Sequence, residues 1–250
     1  MEKQLEIIEM CKDLKLPSVR ELMKQDDIFV KYPSPIDFLH FALSQEQQDR
    51  LVRAKTNRIR LANFPEKKLL EEIDIDALPP NAAMRLSHLK ELNFIKEKQN
   101  ILFIGSPGTG KTHLAIGLGI EACLAGYKVY FTSVSSLINQ LKESRSERTL
   151  RSFGLKFEKY DLVIIDELGY ISFDKEGAEL LFTHLSLRAG RAATIITSNL
   201  SFDRWEEVFH DPVLTAALTD RLTHRAHVIN MVGGSYRILE TKEWIEKSNY

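Results

Sequence analysis

Short apolar runs alternate with longer amphipathic stretches beyond residue 100. The apolar runs are bounded by glycine or polar residues, as buried parallel strands are, and they cover 101–104, 128–131, 162–165, 193–197 and 227–230. Helical periodicity covers about 110–125, 134–151, 176–188, 203–210 and 212–224. Because strands alternate with helices, we predict an α/β fold with a five-stranded parallel sheet covered on both faces.

The residues before this pattern predict helices only. Ser34 followed by Pro35 is typical of a helix start, and Ser44 with Gln47 forms a capping box that predicts a helix from there to about Leu61. We therefore predict a small all-helical domain over 1–65 that binds DNA or a partner. A charged connector is predicted over 66–80, and the α/β domain over 81–250.

Composition and charge exclude several classes of protein. The 250 residues include 34 basic and 35 acidic side chains, so any binding of nucleic acid must come from local basic patches. The two cysteines cannot form a disulfide framework or a four-thiolate zinc site. No run of 18 apolar residues is present, which predicts a cytoplasmic protein without a membrane partner.

The strongest motif follows the first predicted strand. It matches the phosphate-binding pattern GxxxxGK[ST] and comprises Gly105, Ser106, Pro107, Gly108, Thr109, Gly110, Lys111 and Thr112, with His113 next in the chain. In such a loop, backbone N–H groups surround the phosphates, the lysine reaches the β and γ oxygens, and the threonine hydroxyl ligates Mg²⁺. A glycine-rich turn without a ligand is the alternative. The position between a strand and a helix favours a nucleotide site for ATP with Mg²⁺.

Two further strands end in polar side chains. Asp166 and Glu167 follow the third run, where Asp166 can bind Mg²⁺ and Glu167 can polarise an attacking water. This pair favours hydrolysis over transfer to a bound substrate. Asn199 follows the fourth run and is expected at the same sheet edge, where it orients water, senses the γ-phosphate or only turns the chain.

Two arginines precede the last strand. Arg221 and Arg225 are four residues apart, so one helix face is expected to carry both. Each is either a surface arginine or a finger that reaches the γ-phosphate of a neighbouring subunit.

Two basic clusters are candidate contacts for the phosphate backbone of DNA. The first consists of Arg50, Arg53, Lys55, Arg58 and Arg60, which spread around a helix. The second consists of Lys142, Arg145, Arg148 and Arg151, diluted by acidic neighbours. For both, a solvated surface is the alternative.

Together these motifs carry a resemblance to a known family. GSPGTGKTHLAIGLG, LVIIDELGYI, TIITSNL and LTDRLTHRAHVI resemble the AAA+ ATPases, in the branch that holds the initiator DnaA, the helicase loader DnaC and the IstB-type proteins of insertion sequences. The stretch SPIDFLHFALSQEQQDRLVRAKTNRIRLANFPEKKLLEEIDI resembles the N-terminal half of IstB-type proteins.

The resemblance implies roles and partners that spacing alone does not. It implies that the strand before Asn199 lies between those before Lys111 and Glu167, that Asn199 is a sensor, and that Arg221 is the finger. It implies that residues 134–156 contact DNA. Finally, it implies an ATPase that self-assembles on duplex DNA, prepares a target site and stimulates a partner transposase, with hydrolysis that releases or remodels the assembly.

One departure and several alternatives remain. Only about 18 residues follow Val232, so a full C-terminal helical lid is not expected. A helicase loader of the DnaC type, a small-molecule kinase and a scaffold that binds ATP without turnover are the other readings of the same motifs.

Overall fold

The computed structural model describes residues 2–25, 27–32 and 34–248. The chain divides into two compact units, 1–57 and 58–250. The second unit includes 58–65 and the predicted connector 66–80, where Ala62, Leu70 and Leu78 are buried in the core. These apolar side chains therefore make the segment part of the α/β unit.

The described part of the first unit is helical. Its helices are α1 (Glu2–Asp13), α2 (Pro17–Leu22), α3 (Ile28–Lys31) and most of α4 (Pro35–Leu61). The predicted start at Pro35 is confirmed, since the Asp37 N–H donates to Ser34 Oγ at 3.4 Å. The predicted start at Ser44 is wrong. Ser44 lies inside α4, because the apolar side chains that precede it continue the helical pattern.

A buried carboxylate fastens α2 to α4. The Glu46 side chain is 4% exposed and accepts hydrogen bonds from the Ser18 N–H at 2.8 Å and from Arg50 Nε at 2.8 Å. A buried charge needs such partners, so these bonds are structural.

The second unit contains the predicted five-stranded parallel sheet. Its strands are β1 (Asn100–Ile104), β2 (Val129–Ser133), β3 (Leu162–Leu168), β4 (Ala193–Ser198) and β5 (Ala226–Asn230). Their order is β2-β3-β4-β1-β5, with every neighbouring pair parallel. The expected place of the Asn199 strand, between the strands that precede Lys111 and Glu167, is confirmed.

Helices cover both faces of the sheet. The helices that begin after residue 79 are α5 (Pro80–Lys90), α6 (Asn93–Lys96), α7 (Lys111–Leu124), α8 (Val134–Ser146), α9 (Leu150–Glu158), α10 (Lys175–Arg188), α11 (Glu206–Phe209), α12 (Pro212–Thr223) and α13 (Tyr236–Ser248). Successive residues of β1 point to opposite sides: Phe103 joins the core under α5 and α7, whereas Leu102 joins the core under α8, α10 and α12.

The predicted single helix over 134–151 is wrong. The chain breaks it into α8 and α9, and Arg148 between them has a left-handed φ of 61°. The amphipathic pattern continues through the break and therefore concealed it.

Among residues 231–248, the single helix α13 follows β5, so this stretch holds no multi-helix lid. None of the described helices has the length and apolar character to cross a membrane.

Candidate nucleotide site

The phosphate-binding loop connects β1 to α7 at the carboxyl edge of the sheet. Gly108 has a φ of 78°, and a Cβ there would lie 2.2 Å from Ser235 Oγ, so only glycine fits. Lys111 begins α7 and is 7% exposed, with Nζ 2.8 Å from the Gly105 carbonyl and 2.6 Å from the Ser106 carbonyl. The lysine thus points into the concave side of the loop.

Burial lowers the pKa of Lys111 to about 8. The negative charge of Asp166 counteracts this shift, and the positive charge of Arg237 adds to it. A negatively charged phosphate next to Lys111 stabilises the protonated amine and thereby opposes the effect of burial.

Thr112 and Asp166 meet as expected for a metal site. Thr112 Oγ1 lies 3.0 Å from Asp166 Oδ1 and 3.1 Å from Asp166 Oδ2. A hydroxyl and a carboxylate that lie side by side offer the hard oxygen ligands that Mg²⁺ binds together with phosphate oxygens. These two residues therefore fit the ion.

A bulge separates the roles of the two acidic residues. The pairing of β3 with β4 shifts register between Ile165 and Leu168, and Glu167 has a left-handed φ of 68°. Asp166 is 6% exposed, whereas the Glu167 side chain is exposed. The bulge thus turns Asp166 toward Thr112 and leaves Glu167 open to water.

Thr197 fixes this geometry, although it was not among the predicted site residues. Its hydroxyl donates to Asp166 Oδ1 and accepts from the Glu167 N–H at 3.0 Å. A threonine in an apolar strand looks like an ordinary β-former. The signal was its place two residues before Asn199 on a strand that neighbours β3.

Asn199 lies next to the turn that follows β3. Its Oδ1 atom is buried and makes no hydrogen bond within the described residues. A Cβ on Gly169, whose φ is 108°, would lie 2.6 Å from this atom. An unsatisfied buried acceptor beside Glu167 fits a role in holding water.

Comparison with known proteins places this geometry in a family. The profile described as IstB-like ATP binding protein matches residues 11–243. The chain belongs to the IstB-like ATP binding protein family. It is 40% identical over 211 residues to the ATP-binding protein of insertion sequence IS5376 from Geobacillus stearothermophilus, covering 84% of each chain. It is 37% identical to that of IS21 from Pseudomonas aeruginosa, covering 83% of this chain and 78% of the relative.

Solved structures share the AAA+ fold. DnaA bound to AMPPCP and single-stranded DNA matches with a TM-score of 0.58 at 21% identity, covering 74% of this chain and 56% of that one. DnaI matches with a TM-score of 0.57 at 20% identity, covering 71% and 98%. These likenesses concern the fold.

The C-terminal segment of this IstB-like chain returns to the phosphate-binding loop. The Tyr236 N–H donates to the Gly108 carbonyl at 2.9 Å, and Arg237 follows at the start of α13. Neither residue was among the predicted site residues. The Gly233-Gly234 pair before them was the available signal for a turn toward the site.

His113 does not face the phosphate side of the loop. Its Nε2 donates to the Leu69 carbonyl at 2.8 Å, which ties α7 to the segment before α5. It also lines a cavity of about 110 Å³ together with Leu78, Gly110 and Tyr236.

The two arginines lie at the opposite edge of the sheet. The Leu222 carbonyl accepts from Asn100 Nδ2 at 3.1 Å, which places the end of α12 at the amino end of β1. Arg221 lies over the Phe182 ring, 5.0 Å from its centroid. Arg225 is outside α12, in a turn with a φ of 52°. The predicted shared helix face is therefore wrong.

The first basic cluster is largely engaged in internal contacts. Arg50 and Arg53 pair with Glu46 at 2.8 and 3.5 Å, and Arg58 Nε donates to the Cys123 carbonyl at 2.8 Å. Lys55 is exposed, and Arg60 has an interaction with another residue.

The cations of the second basic cluster fall into two groups, one in ion pairs and one exposed. Lys142 pairs with Asp174 at 2.6 Å, and Arg145 pairs with Glu176 at 3.1 Å. Arg148 and Arg151 are exposed and form no ion pair with the described residues. These two arginines are the cations most available to a phosphate backbone.

Proposed function

We propose that the protein is an ATP hydrolase that assembles on duplex DNA in the cytoplasm and stimulates the transposase of an insertion sequence. One observation supports hydrolysis above all: the phosphate-binding loop faces an Asp166–Glu167 pair in which only Glu167 is open to water. The family and its insertion-sequence relatives support the role in transposition.

Each residue of the site has a proposed role. Lys111 neutralises the β and γ oxygens of ATP, and Thr112 with Asp166 holds Mg²⁺. The bound ion supplies charge neutralisation on the phosphates. Glu167 accepts a proton from the attacking water, and Asn199 orients that water through its unsatisfied Oδ1.

Arg221 acts on a neighbouring copy in this proposal. It lies beside the amino ends of the strands, whereas Lys111 follows the carboxyl end of β1. A five-residue strand is ~16 Å long, which exceeds the reach of an arginine side chain. Arg221 can therefore serve only the phosphate of another subunit, which couples hydrolysis to self-association.

The proposed DNA contacts are Arg148 and Arg151. They stand at the α8–α9 turn, within the stretch that the family resemblance assigns to DNA, and no described carboxylate neutralises them. Lys142 and Arg145 are secondary because Asp174 and Glu176 already pair with them. In the first cluster, Lys55 is the exposed candidate.

Sedimentation with duplex DNA tests the proposal directly. We expect a large complex with ATP that is absent with ADP or without nucleotide and that shrinks at higher salt.

Lys111→Ala should abolish ATP binding and the complex. Glu167→Gln should retain ATP, lose turnover and give longer-lived complexes. A chain that stays monomeric with ATP and DNA would contradict the proposal.

A further inference from the structure

A second cavity lies beside Glu167. It has a volume of about 230 Å³ and lies between α8 and the loop that follows β3. Ile138 and Phe173 provide apolar walls, and the carboxylates of Glu167 and Asp174 line it as well. Tyr170, which also lines the cavity, is 52% exposed and leaves its ring available to a ligand.

The lining favours one class of ligand. Two carboxylates against the single cation Lys142 disfavour a phosphate or another anion. A long aliphatic stem with a cationic end suits apolar walls, an aromatic ring and a carboxylate together. The geometry therefore fits an arginine side chain, whose guanidinium binds carboxylates in two parallel hydrogen bonds.

Local cations are already engaged. Lys142 pairs with Asp174 at 2.6 Å, and Arg145 pairs with Glu176 at 3.1 Å. The Glu167 carboxylate, in contrast, forms no ion pair or hydrogen bond with the described residues. An arginine that enters the cavity can therefore pair with Glu167 without displacing either of these ion pairs.

Arg225 has the properties expected of an arginine that enters this cavity from another copy. It is exposed, lies in a turn with a left-handed backbone, and has no ion pair or hydrogen bond within the described part of the chain. It precedes β5 at the amino edge of the sheet, whereas Glu167 is near the carboxyl end of β3. Three strand steps of ~4.8 Å also separate β5 from β3. Arg225 cannot reach the Glu167 of its own chain.

We propose that Arg225 of one copy enters the cavity beside Glu167 of the next copy. The inference rests on the proposed self-association. It assigns the two arginines opposite effects: Arg221 assists hydrolysis at the neighbouring phosphate, whereas Arg225 pairs with the neighbouring base and restrains it. Carboxylate oxygens that accept hydrogen bonds from a guanidinium are occupied, so they are not free to receive the attacking water.

Cysteine cross-linking tests the contact. Arg225→Cys and Ser172→Cys are made in separate chains, mixed, and oxidised with a non-hydrolysable ATP analogue and duplex DNA. Ser172 lines the cavity, and the native Cys11 and Cys123 are buried, at 5% and 0% exposed, which limits background. We expect a disulfide-linked dimer from this mixture.

Lys159→Cys is the matched control partner for Arg225→Cys. Lys159 is exposed but precedes β3, at the same sheet edge as Arg225, so a head-to-tail contact leaves the two apart. Cross-linking to Lys159→Cys in place of Ser172→Cys would overturn the proposal. If sedimentation shows no ATP-dependent complex at all, the proposed self-association has failed, and this inference fails with it.

Turnover gives an independent readout. Under assembly conditions, Arg225→Gln should raise hydrolysis per chain about fivefold, the effect of removing one partly exposed ion pair. Arg221→Gln should lower it by about 10³. If both variants lose activity, Arg225 is a second finger and the restraint is excluded.

Discussion

Thr197 is the residue on which the two site carboxylates depend. Its hydroxyl donates to Asp166 and accepts from the Glu167 N–H, so one side chain orients both the proposed Mg²⁺ ligand and the proposed base. Thr197→Val keeps the shape but leaves the Glu167 N–H without its acceptor, at a cost of ~1–3 kcal/mol in free energy of unfolding. We expect ATP affinity to stay within about threefold and turnover to fall at least about tenfold.

The measurement is kcat and ATP affinity in parallel, with urea unfolding as the check on stability. Thr183→Val is the control, because Thr183 is an exposed α10 residue whose hydroxyl bonds only its own helix at Glu179. Equal losses of turnover in both variants would contradict the role given to Thr197.

The depressed pKa of Lys111 makes nucleotide affinity depend on pH. Burial is the main cause of its value of about 8. Bound phosphates favour the charged amine, so above pH 8 binding must take up a proton. We expect ATP affinity to be flat below pH 7 and to fall about tenfold between pH 7 and pH 9.

Calorimetry at pH 7 and pH 9, in buffers of different ionisation enthalpy, measures both the affinity and the proton uptake. Lys111→Arg is the control: its guanidinium stays charged, so its affinity, though weaker, should not change over this range. A wild-type affinity that is constant to pH 9 would show that Lys111 does not titrate there.

At this scale, sequence patterns find residues whose chemistry is tied to a motif. Lys111, Thr112 and Asp166 were all predicted, because fixed spacing and a preceding strand bring them together. Thr197 and Arg237 were missed, because their roles depend on which strands are neighbours and on where the chain returns after β5. The available signals were the position of Thr197 before Asn199 and the Gly233-Gly234 pair, and neither signal shows which chemistry the residue serves.

Among the elements, the turn that follows β3 packs against Asn199, the residue proposed to orient the attacking water. Gly169 combines a φ of 108° with a Cβ position 2.6 Å from Asn199 Oδ1. Gly169→Ala should therefore displace Asn199 as well as strain the backbone by ~1 kcal/mol. We expect turnover to fall at least about tenfold while ATP binding is retained.

Gly126→Ala separates the effect of backbone strain from the effect of displacing Asn199. Gly126 has a φ of 106° and no neighbouring atom within 4 Å of its Cβ position, so it carries the backbone strain without the clash. Gly169→Ala should lose more stability than Gly126→Ala in urea unfolding, because its Cβ also meets Asn199 and Leu200, and only Gly169→Ala should lose turnover. Loss of turnover in both would assign the effect to backbone strain.

Strands were easier to predict than helices. Each strand is a short buried run with clear ends, so the predicted positions differ from the observed ones by only a few residues. Helices of this chain begin and end for reasons outside the amphipathic pattern: α4 starts before the predicted capping box, and α8 ends at Ser146, just before the left-handed Arg148. Packing against neighbouring elements decides such boundaries.

At the scale of the whole molecule, local charge decides where DNA can bind, because basic and acidic residues nearly cancel. The double variant Arg148→Gln, Arg151→Gln should reduce the slope of log affinity against log salt by ~2, since each lost phosphate contact changes it by ~0.9. Lys142→Gln with Arg145→Gln is the matched pair, and its paired cations predict a change below ~1.

Fluorescence anisotropy with labelled duplex DNA at four salt concentrations measures both slopes. A larger change in the Lys142 and Arg145 pair would mean that DNA displaces Asp174 and Glu176 from their cations. Unchanged slopes in both double variants would show that DNA does not contact α8 and α9. The first cluster, in which Lys55 is exposed, would then be the candidate.

The parallel sheet gives the molecule a direction. Phosphate-binding groups stand at the carboxyl ends of the strands, and Arg221 and Arg225 stand at the amino ends, so a row of copies joined head to tail in the proposed assembly has two chemically different ends. At one end, the terminal copy has a nucleotide site that receives no arginine from a neighbour. At the other end, the arginines of the terminal copy face no nucleotide site. An open row of copies thus always has one incomplete catalytic centre, and the end that carries it is where turnover, growth and loss differ from the interior.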